Sequence, residues 1–147
     1  MVDFDPAIIN KTFETTEPVP VSRDRIAKFC EAIGETNPLF TDDEGAKKGP
    51  YGGVIAPPSF ATTFRNGRHF FEHVPRFGRR GFDAGKDVEF VAPIRPGDEI
   101  TLSSAVKEIY DKTGRSGTMV FVVIRSTLRN QQGEIVAHID HRFMNRP

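Results

Sequence analysis

The chain has 147 residues, 37% of them hydrophobic and 27% charged, which predicts a single soluble domain over residues 1–147 with a self-sufficient core. Its 20 basic and 20 acidic side chains give a formal net charge of zero, which excludes a global attraction to nucleic acid and favours self-association. The single cysteine excludes an internal disulfide, and the sequence contains no run of about 20 apolar residues that could cross a membrane. We therefore expect a cytoplasmic protein.

The first well-patterned element is a helix predicted over residues 23–33. Ser22 is a preferred N-cap residue, and Gly34 suits a left-handed C-cap. The apolar positions between these caps recur at helical spacing: Ile26, Phe29, Cys30 and Ile33. We expect Cys30 to be a buried and unreactive thiol, because it lies on this apolar face.

A long irregular loop is predicted over residues 35–56. It begins with Glu-Thr-Asn-Pro-Leu-Phe-Thr-Asp, and it leads into Gly-Gly-Val-Ile-Ala-Pro-Pro over residues 52–58. One helical turn is expected near residues 42–47, where Asp42 and Asp43 serve as N-cap and first-turn acids. Structured loops of this length in a compact domain are usually functional, so we interpret this loop as the rim of a site.

A second helix is predicted over residues 57–73. Two consecutive prolines can open a helix, because the N–H groups of its first turn have no intrahelical partner. The stripe that follows has helical spacing: Phe60, Phe64, Gly67 and Phe71. A continuous helix of this length would be about 24 Å long.

The remaining sequence alternates between apolar and polar residues in four segments separated by short polar turns. The predicted strands lie near residues 88–92, 100–106, 119–128 and 135–143. Short turns between successive strands favour an antiparallel meander. A long apolar helix and a meander large enough to wrap it predict an α+β domain, with an antiparallel sheet around a long central helix.

The order of these motifs resembles the MaoC-like hot-dog dehydratases and (R)-specific enoyl-CoA hydratases. Gly-Glu-Thr-Asn-Pro-Leu-Phe follows the first helix, Gly-Gly-Val-Ile-Ala-Pro-Pro opens the second, and Phe-x-x-Pro-Ile-x-Pro-Gly-Asp-Glu runs from Phe90 to Glu99. The resemblance covers about residues 15–144 and implies a hot-dog fold. It is closest to the non-catalytic subunit of two-subunit, mycobacterial-type acyl dehydratases, which has a similarly degenerate loop and an Ala-Pro-Pro segment.

In active members of that family, the loop reads Asp-x-Asn-Pro-Leu-His. The resemblance implies that this Asp and His add or remove water across the α,β double bond of an acyl thioester, while a Gly N–H binds the enolate oxygen. Asn37 matches the pattern, but Glu35 replaces the Asp, Phe40 replaces the His and Pro57 replaces the Gly. Acid–base help is worth roughly 10²–10⁴-fold, and an oxyanion donor roughly 10²–10³-fold. We therefore expect the chain alone to be inactive, with Glu35 as the sole catalytic candidate if it is active.

The resemblance implies a substrate-binding, non-catalytic subunit that completes the acyl pocket of a catalytic hot-dog partner. Its ligand would be an acyl-CoA or acyl-carrier-protein thioester, with no cofactor and no metal. The candidate substrate-binding residues are Asn37, Ala56, Pro57, Phe60 and Phe64. Two alternatives remain open: a homodimeric acyl-CoA-binding protein without catalysis, and a self-sufficient hydratase or thioesterase that uses Glu35.

Three further groups have both a functional and a structural interpretation. The basic cluster could contact thioester phosphates or form a solvated surface: Arg65, Arg68, Arg76, Arg79 and Arg80. His69 and His73 have the spacing of metal ligands on a helix, but they lack the His-Glu-x-x-His order, so no metal site is predicted. His138 and His141 lie three apart on a strand and are expected on opposite faces.

Overall fold

The computed structural model describes residues 2–14 and 17–147 of the chain. Its frame is an antiparallel sheet whose strands are β1 (Thr12–Glu14), β2 (Val19–Pro20), β3 (Arg80–Phe90), β4 (Glu99–Gly114), β5 (Gly117–Arg129) and β6 (Ile135–Arg146). The strand order is β1-β4-β5-β6-β3, and β2 pairs separately with β4. The structure confirms the predicted antiparallel sheet, and β4, β5 and β6 form a meander. The prediction is wrong for β3, which pairs with β6 at the far edge of the sheet and not with β4, the next strand along the chain.

The helices are short and lie mostly before β3. They are α1 (Arg23–Ile33), α2 (Pro38–Thr41), α3 (Asp43–Lys47) and α4 (Arg68–His73), with 3₁₀ helices over Pro6–Ile8 and Pro58–Thr63. Among the described residues, no helix combines the length and the apolar character that crossing a membrane would need.

The structure confirms the predicted bounds and caps of α1. The Ser22 hydroxyl accepts a hydrogen bond from the Arg25 N–H at 3.0 Å, and Gly34 adopts a left-handed conformation with φ of 70°. Glycine is favoured at that position because it has no Cβ to clash. Cys30 is buried as expected, and burial raises the pKa of its thiol. Such a thiol is a poor nucleophile.

The loop contains the predicted turn and one more. α3 confirms the expected helical turn, and the Asp42 carboxylate caps it by accepting from the Glu44 N–H at 3.1 Å. α2 was not predicted; it starts at Pro38 and is capped by Asn37. Both turns satisfy their first N–H groups with a local side chain, so the loop has a defined path although it lacks regular strands.

The predicted continuous helix over residues 57–73 is wrong. The chain forms a 3₁₀ helix over Pro58–Thr63, becomes extended at Phe64 and at Gly67, and only then forms α4. The apolar stripe is broken as a result, since Phe60 is 1% exposed whereas Phe71 is 37% exposed. The sheet therefore wraps around a broken segment and not around one long helix.

The main core lies between the inner face of the sheet, α1 and the 3₁₀ helix that starts at Pro58. Its fully buried side chains include Ile26 from α1, Phe60 from the 3₁₀ helix, and Ile100 and Leu128 from β4 and β5. A smaller apolar cluster surrounds Phe70 of α4. The segment between these two clusters, residues 64–67, crosses the inner face of the sheet and sets the position of the candidate site.

Candidate functional site

Glu35 directly follows the C-cap of α1 and is half-buried. Its carboxylate Oε1 accepts hydrogen bonds from the Thr36 N–H at 3.0 Å and the Asn37 N–H at 2.9 Å. Because these donors belong to its own loop, the carboxylate holds the chain between α1 and α2. Glu35 therefore has a local structural role at the end of α1.

Phe40 lies on α2, and its side chain is only 9% exposed within the main apolar core. Its carbonyl oxygen lies 3.8 Å from the Cys30 Sγ, so α2 packs directly on α1. At the position where the active family carries a histidine, this chain places a buried benzyl ring. No proton can be exchanged there.

Ala56 and Pro57 line a small apolar groove of about 210 Å³ at the start of the 3₁₀ helix. The Ala56 N–H donates to the Ile94 carbonyl at 2.8 Å, and Pro57 has no N–H to offer. The rim of this apolar groove includes Tyr51, Pro57, Pro58, Phe90, Val91 and Pro93. Neither Pro57, at the family's oxyanion position, nor the preceding Ala56 therefore presents a free backbone N–H.

The structure brings together only two of the five predicted substrate-binding residues. Ala56 and Pro57 share the apolar groove, whereas Phe64 lines a different cavity. Phe60 is buried in the core, and its ring packs edge-on against Phe64 at 5.7 Å between centroids. Asn37 caps α2, because its Oδ1 accepts from the Leu39 N–H at 3.0 Å.

A larger cavity of about 590 Å³, here called the inner cavity, lies between residues 62–71 and the inner face of β5, β6 and β3. Five charged or titratable side chains line it: Arg65, Arg68, Asp83, Lys86 and His141. Two members of the predicted arginine cluster therefore face this cavity, while the other three do not line it. Sequence analysis did not associate Lys86, Asp83 or His141 with these arginines.

His141 and Asp83 form a pair at the inner cavity. The His141 Nε2 lies 3.0 Å from the Asp83 Oδ2, a close contact between the two side chains. Burial lowers the pKa of His141, and the nearby Lys86 and Arg65 act in the same direction, against the raising effect of Asp83. Hydrogen bonds from the Gly85 N–H and from His141 lower the pKa of Asp83. At neutral pH the pair is therefore a neutral imidazole beside a carboxylate.

His138 lies on the other face of β6, as predicted from its spacing to His141. Its Nδ1 lies 3.1 Å from the Thr127 hydroxyl, on the side of the sheet away from the inner cavity. The two histidines therefore cannot act at one site.

Asn66 connects the broken segment to the sheet. Its Nδ2 donates to the Ser126 hydroxyl at 3.3 Å, its Oδ1 accepts from the Ser104 hydroxyl, and the two serine oxygens lie 2.9 Å apart. Ser104 and Ser126 are buried, so each hydroxyl needs a partner. The amide satisfies both, from a segment that is extended at Phe64 and Gly67.

Replacing Asn66 by Ala is expected to lower the free energy of unfolding by about 1–3 kcal/mol, because the buried serine hydroxyls lose a donor and an acceptor. Urea unfolding of Asn66→Ala, Ser126→Ala and the double variant would measure this. We expect the double variant to lose less than the sum of the single losses, since both remove the same hydrogen bond. Strict additivity would show that the amide does not pair with Ser126.

His69 and His73 lie one turn apart on α4, with their Nε2 atoms 3.4 Å apart. The His69 Nδ1 is 3.3 Å from the Glu72 Oε2, and this cluster is exposed to solvent. Within residues 2–14 and 17–147, no group of three or more His, Cys, Asp or Glu side chains is arranged to hold a metal ion.

Three similarities relate this chain to known proteins. The UPF0336 protein of Streptomyces avermitilis is 31% identical over 137 residues, which cover 90% of this chain and 88% of that protein. The probable enoyl-CoA hydratase alpha subunit of Thermomonospora curvata is 30% identical over 135 residues, covering 80% of this chain and 42% of that protein. The C-terminally truncated HadBC (3R-hydroxyacyl-ACP dehydratase) complex of Mycobacterium tuberculosis has the same fold, with a TM-score of 0.77 at 22% identity, covering 94% of this chain and 97% of that one.

These findings confirm the predicted fold and the resemblance to the MaoC-like dehydratases. A model of the family described as "FAS1-like, dehydratase domain region" matches residues 7–139. The match spans the loop with Glu35 and Phe40, the start of the 3₁₀ helix and nearly all of the sheet. The chain is therefore a hot-dog protein that belongs to the FAS1-like dehydratase domain family.

Proposed function

We propose that this chain is the substrate-binding, non-catalytic subunit of a (3R)-hydroxyacyl-thioester dehydratase, or enoyl-thioester hydratase. One observation carries the proposal: two of the three catalytic positions of the family lack the group that acts on a substrate, and the third is partly engaged by its own loop. Phe40 is buried in the core, Pro57 has no N–H, and one oxygen of the Glu35 carboxylate accepts two backbone N–H groups.

Hydration of an enoyl thioester needs three groups at once. A base takes a proton from water as its oxygen bonds to the β-carbon, a donor binds the enolate oxygen, and an acid returns a proton to the α-carbon. The missing acid–base residue and the missing oxyanion donor are each expected to lower the rate of hydration by at least about 10²-fold. A second hot-dog chain that carries the intact loop would supply all three groups.

The free edge of β3 supports an interface with such a partner. The strand runs over 11 residues, pairs with β6 alone among the strands of the described residues, and is exposed along nearly its whole length. Phe90 at its end and the adjacent Val91 are each 53% exposed, and both line the apolar groove. An unpaired strand edge beside an exposed apolar patch favours association with another chain. The hydratase relative above is named as a subunit, and the dehydratase structure above is named as a complex. Both names agree with a role as one subunit of a larger enzyme.

Within this proposal, the predicted binding residues have two kinds of role. Ala56 and Pro57 would form the wall of the acyl pocket at the apolar groove, and Phe64 would border the ligand at the inner cavity. Phe60 and Asn37 would act indirectly, since one fixes the position of Phe64 and the other holds α2.

The test measures crotonyl-CoA hydration by the purified chain alone and by its mixture with a catalytic partner. The partner is a MaoC-like chain with an intact Asp-x-Asn-Pro-Leu-His loop, encoded by a reading frame next to the one for this chain. We expect no turnover by the chain alone, and a rate in the mixture at least about 10²-fold above that of the partner alone. Glu35→Gln keeps an oxygen that can accept the two loop N–H groups, so its mixture is expected to stay active.

Two results would favour the alternatives. Turnover by the single chain that disappears in Glu35→Gln would indicate a self-sufficient hydratase or thioesterase. Thermal stabilisation by an acyl-CoA, with neither reaction nor partner, would indicate a homodimeric binding protein.

A further inference from the structure

Three cationic side chains line the inner cavity. Arg65 and Arg68 reach it from the broken segment, and Lys86 reaches it from β3. Within residues 2–14 and 17–147, none of these three side chains forms a hydrogen bond or a salt bridge. All three are exposed, so a ligand can meet them.

The one carboxylate that lines the inner cavity is already engaged. The Asp83 Oδ1 accepts from the Gly85 N–H at 2.9 Å, and its Oδ2 faces His141. His141 adds no charge at neutral pH, because burial lowers its pKa. The lining therefore combines three cations with one carboxylate, in a chain whose formal net charge is zero. Such a local excess of positive charge attracts anions.

Apolar side chains make up much of the remaining lining of the cavity. They are Phe64, Phe71, Ile124, Ile139 and Phe143, beside the polar Thr62, Asn66 and Ser126. The volume of about 590 Å³ lies in the range of ordinary ligand pockets. A cavity lined by both cations and apolar side chains fits an amphipathic ligand, in which a carbon chain adjoins a negative group.

The inner cavity and the apolar groove both border the 3₁₀ helix. Pro57, Pro58 and Ala61 line the groove, whereas Thr62 and Phe64 line the cavity. Because Ala61 and Thr62 are consecutive residues, the two spaces adjoin the same turn of this helix.

We propose that the inner cavity binds an anionic group of the thioester ligand through Arg65, Arg68 and Lys86, while the adjoining chain packs on the apolar side chains of the lining. The inference rests on the proposed function for the nature of the ligand as an acyl thioester. Two sources share this chemistry: a carboxylate at the far end of the acyl chain, and a phosphate of the pantetheine arm or coenzyme. Guanidinium groups pair well with either anion.

Three probes of equal acyl length separate these sources: decanoyl-pantetheine with no anion, the sebacic acid monothioester of pantetheine with a carboxylate, and decanoyl-CoA with phosphates. Binding to the purified chain is measured by calorimetry at low ionic strength, where charge contacts are least screened. We expect one anionic probe to bind at least about tenfold tighter than decanoyl-pantetheine, as charged hydrogen bonds allow. The probe that gains affinity identifies the source of the anion.

The variants Arg65→Gln, Arg68→Gln and Lys86→Gln are each expected to reduce that gain by about fivefold to tenfold, while decanoyl-pantetheine binds as before. Arg79→Gln is the matched control, because it removes a cation of the same basic stretch that does not line the cavity. Equal affinity for all three probes, no binding of any probe, or an equal loss in Arg79→Gln would overturn the proposal.

These binding measurements need neither partner nor turnover. If the anion confers no gain while the mixture with a catalytic chain is active, the cavity assignment fails and the proposed function stands. If the anion confers the gain and no partner yields an active mixture, the cavity assignment stands and the proposed function fails.

Discussion

The substitution Phe60→Ala is expected to lower the free energy of unfolding by about 4 kcal/mol. Phe60 is 1% exposed and its ring packs edge-on against Phe29 at 5.5 Å and Phe64 at 5.7 Å between centroids. The Arg25 guanidinium lies 5.3 Å from the same ring, which adds a cation–π contact. Removal of the ring leaves a cavity that the neighbouring sheet cannot fill, and chemical denaturation of the purified variant measures the loss.

Phe71→Ala is the matched control, because sequence periodicity placed both phenylalanines on the same apolar stripe. Phe71 is 37% exposed, and its ring packs edge-on against Phe70 and Phe143. We expect its loss to stay below about 2 kcal/mol, since the exposed part of the ring gains no transfer free energy in the folded state. Equal losses in the two variants would indicate a continuous helix that buries both rings.

Sequence analysis predicted the elements whose causes are local. The bounds of α1 follow from Ser22, Gly34 and the apolar spacing between them, and all of these lie within 13 residues of one another. The turn at α3 follows from Asp42 in the same way. Strands β4, β5 and β6 were predicted because alternation along a strand reports which face is buried. Most of β3 was missed, because it begins at Arg80 and is exposed along nearly its whole length, so its burial does not alternate.

The second helix could not be predicted correctly, because its interruption has a distant cause. Asn66 bonds to Ser104 and Ser126, which lie 38 and 60 residues further along the chain. In the sequence, Gly67 falls on a stripe of helical spacing, so periodicity alone predicts a continuous helix. Only the folded sheet places two buried hydroxyls under Asn66 and favours extended backbone there.

The candidate site was predictable in part. The resemblance identified the positions of Glu35, Phe40 and Pro57, and the chemistry of those side chains was enough to predict lost reactivity. It could not show that the Glu35 carboxylate is engaged by its own loop. The pair of His141 and Asp83 depends on the register of β3 with β6, which shifts at a bulge between Asp83 and Lys86. No local sequence signal sets that register.

The double substitution Phe90→Glu and Val91→Glu is expected to weaken association with a catalytic hot-dog partner by about 10³-fold. Both side chains are 53% exposed in the single chain and line the apolar groove at the end of β3. Covering a large apolar side chain is worth about 1.5–3 kcal/mol, and a carboxylate buried without a partner adds a further cost. A loss of about 4 kcal/mol corresponds to roughly three factors of ten in the dissociation constant.

Calorimetric titration of the partner into the wild-type and variant chains would measure this effect, with thermal melting of each chain alone as the check on folding. Ile33→Glu is the matched control, because Ile33 is 48% exposed on α1 and does not line the groove. We expect Ile33→Glu to change the dissociation constant by less than about twofold. An unchanged constant in the double variant would contradict an interface at the groove. If the chain instead self-associates and that association is lost in the double variant, then the groove is the contact between two copies, as the homodimeric alternative requires.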